Sequence, residues 1–161
     1  MDNVADVYDM AETVLQTIRE VYAENGITLP NRQYVIVGAT AHDCEQVTVS
    51  FMVLSDGLPN SSNGRTSAGA CVNPTNGTFL IEVVRELPPV RTGVNSRSTV
   101  PTALEITNTA RTQMIDARLL SEVAHRMMQD SIFPGAGAYS IAAGAPSGLR
   151  QAMQMELNIA V

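Results

Sequence analysis

The run from Phe79 to Met128 constrains this chain most, because it joins a strand, a proline stop and, after a polar loop, a long helix. Within Gly77–Leu87, Phe79, Ile81 and Val83 alternate with Leu80, Glu82, Val84 and Glu86. A period of two puts the first set on one face and the glutamates on the other, the pattern of a half-buried strand. Pro88-Pro89 then ends the ladder, since proline has no N–H to donate and disfavours helix in the residue before it. Thr102-Ala103-Leu104-Glu105 reads as a capping box: the threonine hydroxyl takes a helix N–H while the glutamate reaches back. Ile106, Ala110, Met114, Ala117, Leu120, Ala124 and Met127 follow at helical spacing and predict one continuous apolar stripe. A helix of that length covers several strands, so the rest of the chain must pack on this strand–helix pair.

The remaining elements fit that requirement. Val4, Val7, Tyr8, Ala11, Val14, Leu15, Ile18, Val21 and Tyr22 recur every three or four residues and predict an amphipathic first helix. Asp2, Asp6 and Asp9 crowd its first turns, where the helix dipole favours negative charge. Asn25-Gly26 stops it, because glycine accepts the left-handed conformation of a helix C-cap, and Leu29-Pro30 makes a corner. Gln33 to Val37 is a short strand, and Gly38 to Cys44 turns the chain. Gln46 to Leu54 is a second strand, with Val47, Val49, Phe51 and Val53 inward and Thr48 and Ser50 outward. After the long helix Pro134-Gly135 is a stop. Ala138 to Ala143 then forms a small-residue strand, Ala145-Pro146-Ser147-Gly148 a turn, and Arg150 to Val161 a last strand. That last strand has Met153, Met155, Leu157 and Ile159 on one face and Gln154, Glu156 and Asn158 on the other.

The order α-β-β-β-α-β-β indicates an α+β fold: a largely antiparallel sheet of about five strands with two helices packed on one face. A chain of 161 residues is expected to be a single domain that buries roughly two-thirds of its unfolded surface. Two polar stretches, about 56–76 and 88–101, are expected to project from it. The first is rich in Ser, Asn, Gly and Pro, and 21 residues is long for a hairpin connection, a length usual for functional or disordered loops.

Composition excludes several function classes. No apolar run approaches the ~20 residues of a membrane span. Met1-Asp2-Asn3-Val4-Ala5-Asp6 lacks the basic-then-apolar layout of a signal peptide, so synthesis in a cytoplasm is expected. The net charge is −6 and every basic residue is arginine. That balance disfavours tight nucleic-acid binding, which needs several phosphate neutralisations, while remaining compatible with a surface that DNA passes without sticking. Aromatic residues are not interleaved with basic ones, as base-stacking platforms require. The methionines at 127, 128, 153 and 155 read as core at helical and strand spacing, although methionine also makes adaptable binding surfaces.

The candidate reactive groups do not converge. His42-Asp43-Cys44 is the one local cluster of metal-capable side chains, and neither Cys71 nor His125 has the paired spacing that would complete a zinc set. A solvated turn is the expectation there, with no metal site and no cofactor. A Cys44–His42 nucleophile pair would need an orienting partner and a pocket, and nothing else in the sequence points to that turn. Cys44 and Cys71 each precede an expected strand; if these form an antiparallel hairpin, the two entry points lie at opposite ends, too far apart for a disulfide unless the long loop folds back. With a reducing compartment, two free thiols are expected. Asp116, Glu122 and His125 lie on the second helix, where 122 and 125 at i, i+3 predict a surface pair. Gly135-Ala136-Gly137-Ala138 leads into a strand, the reverse of a phosphate-binding loop. No catalytic residue is expected.

Glu82-Val83-Val84-Arg85-Glu86-Leu87-Pro88-Pro89 thus leads through a loop to a helix containing Asp116-Ala117-Arg118-Leu119-Leu120. A glycine-rich break follows, then two closing strands around Gly148-Leu149-Arg150. Over residues 77–161, this layout resembles the tail terminators of long-tailed bacteriophages, particularly the small head-to-tail connector proteins of phages infecting actinobacteria. The resemblance implies a structural virion protein of the tail or neck, assembled in the host cytoplasm. It implies a hexameric ring that caps the tail tube, stops its growth and meets the head-side connector, with genome DNA passing through the bore. The implied partners are further copies of the chain, the tail tube protein and the head-side connector or stopper. Contacts are then expected from the loops 56–76 and 88–101, with Arg65, Arg91 and Arg97 as polar anchors. Two other readings stay open: a head-side stopper or adaptor ring, and a small cytoplasmic oligomeric enzyme using Cys44 or His42.

Overall fold

The structure, a computed structural model, describes residues 7–55, 76–92, 98–129 and 138–160. The chain runs α1 (Val7–Glu24), β1 (Arg32–Val37), β2 (Gln46–Ser55), β3 (Asn76–Glu86), β4 (Arg91–Thr92), β5 (Ser98–Thr99), α2 (Ala103–Gln129), β6 (Ala138–Ala143) and β7 (Arg150–Ala160). The expected order of helices and long strands is present, and a short β4–β5 hairpin is added inside the 88–101 linker. The loop at 56–75, the Pro134-Gly135 stop and Cys71 lie outside the described residues.

Five strands form one sheet in the order β1-β2-β3-β7-β6. The β1–β2 pair is parallel and the other three are antiparallel. Register lines up Val47, Val83 and Met153, then Val49, Ile81 and Met155, then Phe51, Phe79 and Leu157, all on one face. Both helices cover that face, and these side chains form the core with Ala11, Val14, Leu15, Ile18, Val21 and Tyr22 of α1 and Leu119, Leu120, Val123, Ala124 and Met127 of α2. Each large side chain buried there stabilises the fold by about 1.5–3 kcal/mol. The α+β architecture follows from this one-sided covering.

Local signals place the helix ends. After Glu24, Gly26 adopts φ +67°, the Gly26 N–H bonds Ala23 O and the Ile27 N–H bonds Tyr22 O. This is a Schellman cap, with Ile27 turned onto the core. At the start of α2 the Thr102 N–H donates to Glu105 Oε2 at 2.8 Å, and the Glu105 N–H donates to Thr102 Oγ1 at 3.2 Å. The capping box read from the sequence is therefore formed, and its hydrogen bonds from Thr102, with Arg91 nearby, hold the Glu105 carboxyl below its ordinary value. Between β6 and β7, Ser147 and Arg150 exchange backbone hydrogen bonds around Gly148-Leu149, so the tight turn lies there, with Gly148 at φ +60°.

Three expectations need correction. The first is the α2 stripe. Residues four apart are offset by about 40° around a 3.6-residue helix, so Ala110 and Met114 drift off the buried line, whereas Ile106, in line with buried Ala124, is exposed because the core does not reach the first turns. Met114 ends 71% exposed, and burial begins only at Asp116. The second concerns β2, whose Thr48 and Ser50 were expected to face water but are fully buried; a bulge between Phe51 and Val53 also breaks its alternation. The third is the 38–45 connection, whose alternate residues, Asp43 among them, stay exposed while Thr40 and His42 face the sheet. Because β1 and β2 are parallel, eight residues return along about 17 Å of strand, within the ~26–29 Å that so short a chain can span and well under the usual dozen-residue crossover. Thr40 and His42 of the connection hydrogen-bond Glu82, which lays it across the second face of the sheet.

Candidate assembly surface

The second face is built around a buried carboxylate. Glu82 is 3% exposed and receives Thr40 Oγ1–H at 2.6 Å and Gln154 Nε2–H at 2.7 Å, with His42 Nε2 at 3.1 Å. Thr40 and His42 come from the crossover, Glu82 from β3 and Gln154 from β7, so this carboxylate ties the crossover to the sheet. Gln46 adds a second tie by donating to Ala41 O and accepting from the Tyr34 hydroxyl. The Thr48 and Ser50 hydroxyls are buried without a hydrogen-bond partner. Cys44 is a free thiol within 3.1 Å of the Arg32 guanidinium, with Gln46 Oε1 at 3.7 Å. His42 thus faces Glu82, and the Cys44–His42 pairing considered from sequence is replaced by separate partners. Among the described residues, no group of three or more His, Cys, Asp or Glu is placed to hold a metal ion.

A second polar network pins the two helices to β3. Asp116, 0% exposed, accepts from Arg85 Nε and Nη2 at 3.0 Å each and from the Tyr22 hydroxyl at 3.0 Å. Arg85 also reaches Thr28 O with both terminal nitrogens. Burial, and then the Asp116 charge, push the Tyr22 phenol far above its ordinary value, so it stays a donor. The expected surface grouping on α2 is therefore split. Asp116 is core, Glu122 pairs with Arg126, and His125 meets the Tyr139 ring edge-on at 5.7 Å. Sequence pattern alone missed Glu82 and Asp116 as buried groups; the one available signal was an acid set within apolar runs, which a solvent-facing position explains equally well.

The outer surface carries the residues available to a partner. Helix α2 has its buried side chains only from Asp116 onward, and its first three turns extend past the core with Leu104, Ile106 and Met114 exposed. Arg111 and Arg118 are exposed on the same solvent side as Met114, three and four residues from it. Val90 and Val100, flanking the β4–β5 hairpin, are exposed as well. Of the three arginines proposed as anchors, Arg91 is exposed and pairs with Glu105 at 3.3 Å, fastening the linker to the first turn of α2. Arg65 and Arg97 lie outside the described residues. No helix among the described residues is long and apolar enough to cross a membrane. A scan against protein-family models and a search of curated proteins both return no match to this chain.

Proposed function

We propose that this chain is a ring-forming structural protein of a long-tailed bacteriophage virion, a tail terminator that caps the tail tube and meets the head-side connector. The observation that carries the proposal is the overhanging first half of α2. A 27-residue helix continues beyond its core with Leu104, Ile106 and Met114 in solvent, and Val90 and Val100 of the adjoining linker are exposed as well. Five of the nine large apolar side chains exposed among the described residues fall within residues 90–114, a concentration along the chain that supports an interaction site better than scattered single ones do. The resemblance over residues 77–161 supplies the kind of assembly, and the −6 charge suits a bore through which DNA slides without exchanging counterions.

The purified protein is expected to form rings visible by electron imaging, with a mass in solution that is a multiple of the 17.2 kDa chain. Added to purified tails it should cap one end. Binding to DNA-filled heads and not to tails would replace this reading by the stopper ring. A single-subunit species that binds neither would overturn the assembly reading.

A further inference from the structure

The sheet has two open edges, and their geometry is mutually complementary. Strands β1 and β6 are the outermost strands, each of six residues, and among the described residues nothing pairs with the outer side of either. Which backbone groups point outward follows from the flanking hydrogen bonds. The Gly144 N–H donates to Ala152 O, and this is the register of β6 on β7. Bonding alternates along an antiparallel strand, so even-numbered residues of β6 serve β7 and Tyr139, Ile141 and Ala143 present their N–H and C=O groups outward. On the far side of β7, the Leu87 N–H bonds Leu149 O in the β3–β7 register, so odd residues of β7 serve β3 and even ones β6, which agrees. At the other edge the Gly38 N–H donates to Phe51 O, so even residues of β1 serve β2 and Gln33, Val35 and Val37 present outward.

We infer that β1 of one copy pairs antiparallel with β6 of the next, with Val35 opposite Ile141, so that the sheet continues from subunit to subunit around the ring. Three conditions that could each have failed are met together. Copies in the same orientation bring β1 and β6 side by side in opposite directions, given the strand directions of the sheet. The outward-pointing residues of both strands lie on the helix-covered face, since Val35 aligns with Val49 and Ile141 with Met155. Joining them therefore keeps all helices on one side. The overlap is complete: Gln33 meets Ala143, Val35 meets Ile141 and Val37 meets Tyr139, each opposed pair exchanging two hydrogen bonds.

The side chains support a second copy as the occupant. Val37, 78% exposed, would stand beside an aromatic ring, and Val35 beside Ile141, the β-branched and aromatic pairings that stabilise adjacent strands. Strand β6 carries no charge and no proline, the devices that usually guard a free edge. A two-fold pairing of β6 with β6, or of β1 with β1, would leave the other edge open, whereas the head-to-tail contact covers both and is the type that closes into rings. This inference rests on the ring reading above, and names the contact that would build the ring.

The test uses the full chain with Ala143→Pro and Val37→Pro, each removing one outward N–H and no bond to the neighbouring strand. Light scattering should show each variant alone as a monomer with an unchanged far-ultraviolet circular dichroism spectrum. Mixed one to one, they should form a dimer and stop there, because each retains one intact edge. As a check that does not depend on proline, Ile36→Cys and Ser140→Cys are combined in a chain whose Cys44 and Cys71 are serine. These positions oppose each other at about 4.5 Å between Cα atoms, within disulfide range, so oxidation should give a ladder of covalent multimers. A multimeric wild type that neither proline changes, with no ladder, overturns the edge contact and leaves the ring. A multimer lost in one proline variant and intact in the other indicates two-fold pairing and overturns the contact as drawn. A wild type that is monomeric and gives no ladder overturns both.

Discussion

Replacing Asp116 by alanine tests whether the buried network between the helices and β3 holds the fold together. The carboxylate is fully buried and the Arg85 side chain 14% exposed, with paired nitrogens 3.0 Å from the two carboxylate oxygens. Two charges about 4 Å apart at an effective dielectric of ~20 attract by about 4 kcal/mol, but desolvation offsets most of that when both partners are present. The alanine variant keeps the desolvation of Arg85 and loses the attraction, and it leaves the Tyr22 hydroxyl without its acceptor. Removing one member of such a pair costs about 3–5 kcal/mol, and partial water access to Arg85 places the effect near the lower end. For a domain of this size each kcal/mol lowers Tm by about 2–4 °C, so a drop of about 6–12 °C is expected. Urea unfolding followed by circular dichroism supplies the free energy, and the m-value reports whether the transition stays two-state. The double variant Arg85→Met with Asp116→Leu should lose far less than Asp116→Ala alone, since no charge then stays buried. A loss below about 1 kcal/mol for Asp116→Ala, or a double variant that is worse than the single, would refute this account.

Leu120→Ala should cost about 2–5 kcal/mol through the cavity it leaves, while Met114→Ala, on the same sequence stripe, should stay within about 0.5 kcal/mol; parallel urea titrations decide it. Gly26→Ala puts a Cβ on a residue at φ +67° and should lower stability by about 1–2 kcal/mol, read from the same titrations. Glu105 has a folded-state pKa depressed from 4.5, owing first to the Thr102 N–H, then to the Thr102 hydroxyl and the Arg91 charge. Its contribution is therefore present above 4.5 and lost as pH falls through the lowered value. Amide-exchange protection at the first turn of α2, taken relative to the unfolded chain at the same pH, should fall over that acidic range, and Glu105→Gln should flatten the response.

The sequence by itself determined the elements and their boundaries wherever the cause is local. The Thr102–Glu105 capping box and the Asn25-Gly26 stop act through hydrogen bonds within a few residues, so the letters suffice. The two-residue alternation in Phe79–Val83 and Met153–Ile159 likewise decides which face of each strand is buried. Only the tertiary structure decided what covers the opposite face, because a polar residue facing water and one facing a folded-back crossover have the same local pattern. Glu82, Thr48 and Ser50 became interior through the parallel return of β1 to β2, a long-range choice no spacing records. The stripe along α2 divided for the same reason: periodicity states where apolar residues point, and the extent of the sheet beneath states where the core ends. The first three turns of α2 and the two open strand edges are surfaces only once the fold is complete, so the candidate contacts were legible in the structure and not in the residue order.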